Sequence, residues 1–412
     1  MNVKSFLTLL TSVSALLLLG YPSELRAQFA FTTNADGSLN VSAYTNSPGT
    51  GGIVIIPDTT NGLRITSIGF HAFFLDTTIT NVTMGTNIGS VGAGAFNGCS
   101  GLASVTMPDG VTNIGQNCFY GCRSLTNVTI PGSLTSIASG TFAVCTNLTS
   151  ITLPNGVTYI GSQAFWGCIN LTNVTIPFGV TNIDLGAFQS SAIAAATIPG
   201  SVAIIGTNAF NDCGSLTSVT IPNSVVSLGL GAFEGCVSLT TVTIPDSVTN
   251  LGGMAFYQCT TLASVTVGLG VTNIVNGTFQ NCTNLKSVYF KGNAPTIDVN
   301  SEQGAPAIAY YLPGTTGWGP MLGVFWPTVL WNPPAQTGNA TFGVGTNGFG
   351  FTIAGSSNLV IVVQAATSLA NPVWLSVSTN TLNTFVGTNG TSDFSDPQWT
   401  QYPARFYRFR SP

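Results

Sequence analysis

Apolar and polar positions recur along most of this chain with a single period. A phenylalanine preceded by Ala, Cys or Thr falls at Phe73, Phe96, Phe119, Phe142, Phe165, Phe188, Phe210, Phe233, Phe256 and Phe279, each step being 23 residues except one of 22 between Phe188 and Phe210. A second apolar series runs Ile68, Val91, Ile114, Ile137 and onward to Ile274, and a third runs Leu102, Leu125, Leu148, Leu171, Ile193 and onward to Leu285. Prolines mark one turn of each unit from Pro108 to Pro245, and Gly268 stands where the next would fall. One unit reads C-x-x-L-T-x-V-T-I-P-x-x-V-T-x-I-G-x-x-A-F-x-G.

Two short stretches of the unit, T-x-V-T-I and V-T-x-I, alternate apolar and polar residues, the period of a half-buried strand. Proline ends the first strand by removing a ladder donor. The x-x-A-F-x-G segment is too short for a real helix and is expected to be a helical or 3-10 turn. No single unit can bury its own apolar residues, so neighbouring units must stack. The expected fold is a leucine-rich repeat solenoid, mainly β with short helical turns, in about ten coils spaced ~4.8 Å apart.

At this point the unit resembles a known family, the leucine-rich repeat of the Treponema pallidum type found in BspA-like surface antigens. The resemblance covers roughly residues 29–312, and the segments Gly51–Pro57 and Ile65–Gly69 look like that family's opening unit. It implies an exported protein, and several members are cell-surface adhesins for host proteins, matrix or other cells. The family has no fixed functional motif, so no residue role carries over.

The pattern divides the chain into residues 1–27 as a secretory signal, 28–62 as an N-terminal cap, 63–290 as the solenoid, 291–333 as a C-terminal cap, 334–338 as a linker and 339–412 as a small β domain. The signal has Lys4 ahead of an apolar run from Phe6 to Leu19 and a small residue, Ala27, at the expected cleavage point. That run is shorter than the ~20 residues needed to span a bilayer, so no transmembrane anchor is expected. A hairpin is expected around Asn34–Gly37. From Lys291 the period is lost, and Trp318, Trp326 and Trp331 are expected to plug the last coil. The tail has strand candidates at Phe349–Ile353, Leu359–Gln364 and Phe406–Arg410, which suit a small antiparallel β-sandwich. It resembles tails of other large exported bacterial proteins, and retention or sorting at the surface is the role expected of it.

Composition narrows the chemistry. Charged residues make up 5% of the chain, with 9 Lys and Arg, 13 Asp and Glu and one His. That excludes the basic stripe a nucleic-acid binder needs and leaves little for acid–base catalysis. No enzyme activity, cofactor or metal is expected.

The cysteines at 99, 122, 145 and 168 and at 213, 236, 259 and 282 form a ladder, with Asp76 and Ser191 in the matching slot of two coils. Stacked Cβ atoms ~4.8 Å apart are wider than the ~3.5–4.5 Å a disulfide wants. A buried thiol ladder is therefore preferred to disulfides, and both to a metal row. Cys118 takes an Ala slot and should simply pack there.

The candidate partner surface is the outward face of the first strand. It comprises Thr106, Thr129, Thr152, Thr175, Thr220, Thr243 and Thr266, ending in Tyr289, with Asn127 and Asn173 beside the row. A solvated strand whose hydroxyls pair across rungs is the plain alternative. An ice-ordering array is a third, disfavoured by the curvature that the family resemblance implies. The weaker signals are Gly343–Gly348, a letter match to G-x-G-x-x-G outside its strand–helix setting, His71, the Asp393/Asp396 pair before Pro397, and the cluster Arg405, Arg408 and Arg410. The expectation is an exported, monomeric, adhesin-like protein that binds an extracellular protein or glycan. The alternative is a glycan-binding or envelope-structural protein with its site in the tail and the solenoid as spacer.

Overall fold

The computed structural model describes residues 28–45 and 52–331, and beyond them 335–336, 343–345, 348–355, 360–368, 372–381, 390–402 and 404–410. The expected export signal at 1–27 and most of the expected linker lie outside the described residues. The chain forms two compact units, residues 1–239 and 240–412. The division falls within the repeats, so the last coils, the cap and the tail belong to one unit.

In the first unit, each repeat contributes two short strands that pair in parallel with the same strands of the next repeat. Ile53–Ile55, Asn81–Thr83, Ser104–Thr106 and Asn127–Val128 form one ladder. Ser136–Ile137, Tyr159–Ile160, Asn182–Ile183, Ile204–Ile205 and Ser227–Leu228 belong to the other strand series. Partners lie one repeat apart, as in Ser150 with Asn173 and Thr152 with Thr175. Across the short repeat, Asn182 meets Ile204 and register is kept. The missing residue falls between Ser191 and Ile193, and Ile193 still reaches the core fully buried.

The segment around each phenylalanine is not helical. Its backbone N–H groups alternate between a local turn and the next coil. Gly94, Phe96 and Gly98 donate to Gln116, Cys118 and Tyr120 of the next coil, while Ala95, Asn97 and Cys99 donate to Gly92, Gly94 and Phe96 of their own. A helix would use every N–H internally. Here half of them tie coils together, so the turns form a third hydrogen-bonded side of each coil. The alternation requires left-handed residues two positions before and after the phenylalanine, as at Gly94 (φ 61°) and Gly98 (φ 78°).

The phenylalanines are the spine of the core. Those from Phe96 to Phe233 stack with ring centroids 5.3–5.6 Å apart and planes within 16°. That exceeds the ~4.8 Å between paired strands, so each coil is thicker on its turn side than on its strand side. The N-terminal end of the stack is closed by the expected hairpin, Gln28–Thr33 with Leu39–Thr45. Its Tyr44 lies 4.9 Å from the Phe73 ring and Phe29 lies 6.4 Å from it. Leu39–Thr45 also pairs in parallel with Leu63–Ile68, so the cap covers strand edge and ring face together.

In the second unit, the strands Thr241–Ile244, Ser264–Val267 and Ser287–Phe290 continue the parallel pattern. The repeat signature ends at Lys291, but the rungs do not. Ile308–Tyr311 and Trp326–Leu330 add two more parallel strands, bringing Tyr310 beside Tyr289. Trp326 is fully buried, lies 5.8 Å from Phe279 and donates its indole N–H to the Ala305 carbonyl at 2.7 Å. It is the plug expected of the cap.

The tail forms two antiparallel sheets. Gly348–Gly355 pairs with Ala335–Gln336, Gly343–Gly345 and Gly390–Asp396, and Val360–Ala366 pairs with Leu375–Thr381 and Phe406–Arg410. All three expected strands are present. The tail core is not self-contained, because Phe351, Ile353, Val363 and Phe394 share one buried cluster with Tyr289 and Tyr310.

Candidate functional site

The strand face divides into two rows with different hydrogen bonding. One row is tied down. Thr126, Thr172 and Thr217 donate to the carbonyls of Ala103, Thr149 and Ala194 in the preceding coil at 3.4, 3.4 and 3.0 Å. The other row carries the candidate residues. Thr106, Thr129, Thr152, Thr175, Thr220 and Thr243 are exposed, as are Asn127 and Asn173 of the row between, in which Ser104 donates to the Asn81 side chain at 2.6 Å. Among the described residues, no hydrogen bond within the chain engages these threonine hydroxyls. The expected pairing of hydroxyl with hydroxyl is thus replaced, in the neighbouring row, by bonds from hydroxyl to main-chain carbonyl. The reason is local: each tied hydroxyl lies beside a carbonyl of the preceding coil that also accepts the same threonine's N–H, whereas the main chain of the candidate row is paired strand to strand.

Two residues leave the candidate surface. Thr266 is 7% exposed and Tyr289 is 4% exposed, so neither can meet a partner as the six threonines can. Tyr289 stacks on Tyr310 at 5.0 Å, and the tail packs over both rings. Burial pushes the Tyr289 phenol up to about 12, with the nearby Ser287 hydroxyl pulling the other way. Tyr310, one rung further, had no repeat pattern to reveal it. The available signal was the tyrosine in a threonine slot at Tyr289, since an aromatic there fits a covered strand better than a solvated one.

The cysteine ladder is a set of buried free thiols. Each thiol whose bond is resolved donates to a phenylalanine carbonyl of the preceding coil, as Cys99 to Phe73 at 3.0 Å and Cys168 to Phe142 at 3.1 Å. Each of these carbonyls also accepts a backbone N–H of its own coil, as Phe73 does from Asp76 and Phe96 from Cys99, so the thiol adds a second bond that ties adjacent coils. Burial pushes the thiols of Cys99, Cys168 and Cys282 up to about 12. Nucleophilic chemistry needs the thiolate, so these residues are inert at neutral pH.

The weaker signals are structural. Gly343–Gly345 and Gly348–Gly355 form an antiparallel hairpin, the wrong setting for a dinucleotide loop. His71 lies between Phe70 and Phe74, with centroids 3.8 and 4.4 Å away. Asp396 is 5% exposed, accepts from the Gln398 N–H and the Tyr407 hydroxyl, and pairs with Arg405 at 2.6 Å. Arg405 also lies over the Tyr402 ring, and Arg408 bonds Gln364 and lies over Trp374. The expected basic cluster is therefore split among separate partners. Trp318 packs against Tyr311 at 4.8 Å and Phe290 at 5.2 Å.

Parallel two-strand coils, a phenylalanine spine and turn-side ladders define a leucine-rich repeat solenoid. The family described as the BspA type leucine rich repeat region matches residues 66–194 and 181–305, and this chain belongs to it. A leucine-rich repeat protein from Bacteroides ovatus is similar in structure at 27% identity and a TM-score of 0.60, covering 73% of this chain and 78% of that one. A leucine rich cell surface protein from Faecalibacterium prausnitzii is similar at 28% identity and a TM-score of 0.50, covering 71% of this chain and 90% of that one. The leucine rich repeat protein of T. pallidum aligns over 51% of this chain and 87% of its own, at 30% identity and a TM-score of 0.42. No curated protein matches the chain. Among the described residues, no helix is long and apolar enough to cross a membrane.

Proposed function

We propose that this is an exported, non-enzymatic surface protein that binds an extracellular protein through the exposed threonine row of its strand face, as an adhesin does. The observation that carries this reading is the row of solvent-exposed hydroxyls left without partners inside the chain, beside a row in which hydroxyls are tied. Unpaired hydroxyls repeated rung after rung offer hydrogen bonds to a partner without first breaking internal ones. Repetition adds avidity to weak single contacts. The family membership and the cell-surface neighbour support the location. Buried, protonated thiols and engaged carboxylates support a binding role over catalysis. A monomer suits the reading, because the face then stays free.

The test uses the full chain carrying Thr129→Lys, Thr152→Glu and Thr175→Lys, with signs alternating so that neighbouring rungs do not repel. Binding to immobilised extracellular matrix proteins is measured beside the melting temperature. At least tenfold weaker binding with unchanged melting is the expected result. Binding that survives the triple change would overturn the reading.

A further inference from the structure

A cavity of about 300 Å³ lies within the 240–412 unit, at the covered end of the strand face. Its walls include Tyr289 and Tyr310 from adjacent strands, Trp331 just after the last cap strand, and Phe409 of the tail. That volume is at the small end of ligand cavities and about twice what one benzene ring needs. Two polar atoms here lack a hydrogen-bond partner while buried, the Tyr289 hydroxyl and the Trp331 indole nitrogen. The cavity's cation, Lys291, is already held by Asp246 at 3.1 Å.

These features discriminate among ligands. An alkyl chain would leave both polar atoms unpaired, each costing roughly 1–3 kcal/mol of desolvation. A pyranose brings several hydroxyls into aromatic walls that answer only two of them. An anion would have to compete with Asp246 for Lys291. An uncharged aromatic ring stacks on the walls, and an oxygen on it offers an acceptor to the indole N–H or the phenol O–H. We propose that this cavity binds a small uncharged aromatic molecule carrying one oxygen substituent, a phenol-type ligand. Phe409 forms one wall, so the ligand also braces the tail against the last rungs. The proposal does not rest on the threonine row, and its failure would leave that reading standing.

The experiment measures binding of 4-methylphenol, toluene and methyl glucoside to the full chain by tryptophan fluorescence and calorimetry. Saturable binding of 4-methylphenol, toluene at least fivefold weaker, and no binding of methyl glucoside are expected. Ligand that binds only the folded state also raises the melting temperature. Trp331→Phe keeps a ring and removes the N–H, and should weaken 4-methylphenol at least fivefold while leaving toluene unchanged. Leu312→Trp, on the cavity wall, should abolish both by filling the space, and it decides the matter if Trp331→Phe does not fold. The proposal is overturned by absent 4-methylphenol binding, by equal affinity for toluene, by methyl glucoside competing, or by a cavity-filled variant that still binds.

Discussion

The same strand register meets opposite fates in two parts of the molecule. From Thr106 to Thr175 it is an exposed row of unengaged hydroxyls. From Thr266 through Tyr289 to Tyr310 it is buried, the two tyrosines beneath two β-sheets. The backbone is the same in both, parallel rungs paired residue for residue. The outward side chain differs. A threonine every rung leaves a surface that water covers well, while two stacked tyrosines present enough apolar area to seat a domain. A solenoid face is thus neutral by default, and one aromatic per rung decides what it holds.

The largest effect should come from the core beneath the uncovered rungs. Among the described residues nothing covers their outward face, so their order rests on the phenylalanine spine and the turn-side ladder. Phe142 is fully buried between Phe119 and Phe165, 5.5 and 5.6 Å away. Phe142→Ala should cost about 3–5 kcal/mol, read from urea unfolding. A loss below 1 kcal/mol would mean that the strands hold themselves together without the stack.

Next in size is the exchange of the two register types. Tyr289→Thr restores the repeat's own residue and removes a ring from the cluster shared with the tail. About 2–4 kcal/mol should be lost from tail docking, seen as faster hydrogen exchange in Val360–Ala366 and faster proteolysis after residue 331. Thr129→Tyr, the reverse change on an open rung, should alter stability by no more than about 0.5 kcal/mol. Equal effects from both would mean that the tail is held by its own core and that Tyr289 is a passenger.

Much of this architecture was legible in the sequence, and the limits of that reading have physical causes. Periodicity reports contacts between equivalent residues one repeat apart. It therefore located both strand series, the phenylalanine series and the thiol ladder, while the capping hairpin was legible from the turn residues Asn34–Gly37. It could not report the docking of the tail, because Tyr289 and Phe351 share no period and their contact depends on how a distant segment folds back. The rungs at Ile308–Tyr311 and Trp326–Leu330 escaped for the same reason, since their spacing shortens once the coil no longer carries the full turn. The turn segment looked helical because Ala-Phe with flanking small residues suits a tight turn. Only the alternating hydrogen bonds show that half of its N–H groups leave the coil. The Asp396–Arg405 pair looked like a turn and a basic cluster because a buried ion pair has no local signature.

The turn side offers a smaller test, in the other direction. The slot two residues after each phenylalanine is left-handed, and several coils fill it with glycine, as Gly98, Gly121 and Gly167 do. One open-rung coil has Val144 there at φ 60°. A β-branched residue is strained in that region by roughly 1–2 kcal/mol. Val144→Gly gives back part of that strain to unfolded-chain entropy and loses the contacts of a half-buried side chain. A net gain of about 0.5–1 kcal/mol should remain, visible as a raised urea midpoint. A destabilised variant would show that the valine's packing against neighbouring coils outweighs its backbone strain.

The finest test separates the two hydroxyl rows within a single coil. Thr217 donates to the Ala194 carbonyl at 3.0 Å, whereas Thr220, three residues on, has no such bond. Both are exposed, and valine preserves the β-branched shape that suits a strand. Thr217→Val removes one of the two hydrogen bonds that the Ala194 carbonyl accepts and leaves it the Thr217 N–H, so the cost should be only about 0.5 kcal/mol. Thr220→Val should cost nothing measurable in stability, yet it deletes a hydroxyl that the proposed partner would use. The pair therefore tells structural hydroxyls from free ones by opposite readouts. Thr217→Val should move the unfolding midpoint and leave binding intact, and Thr220→Val should weaken binding and leave the midpoint unchanged. If Thr220→Val proves the more destabilising of the two, the unengaged row is holding the sheet together after all, and the division of the strand face into a tied row and an open one fails.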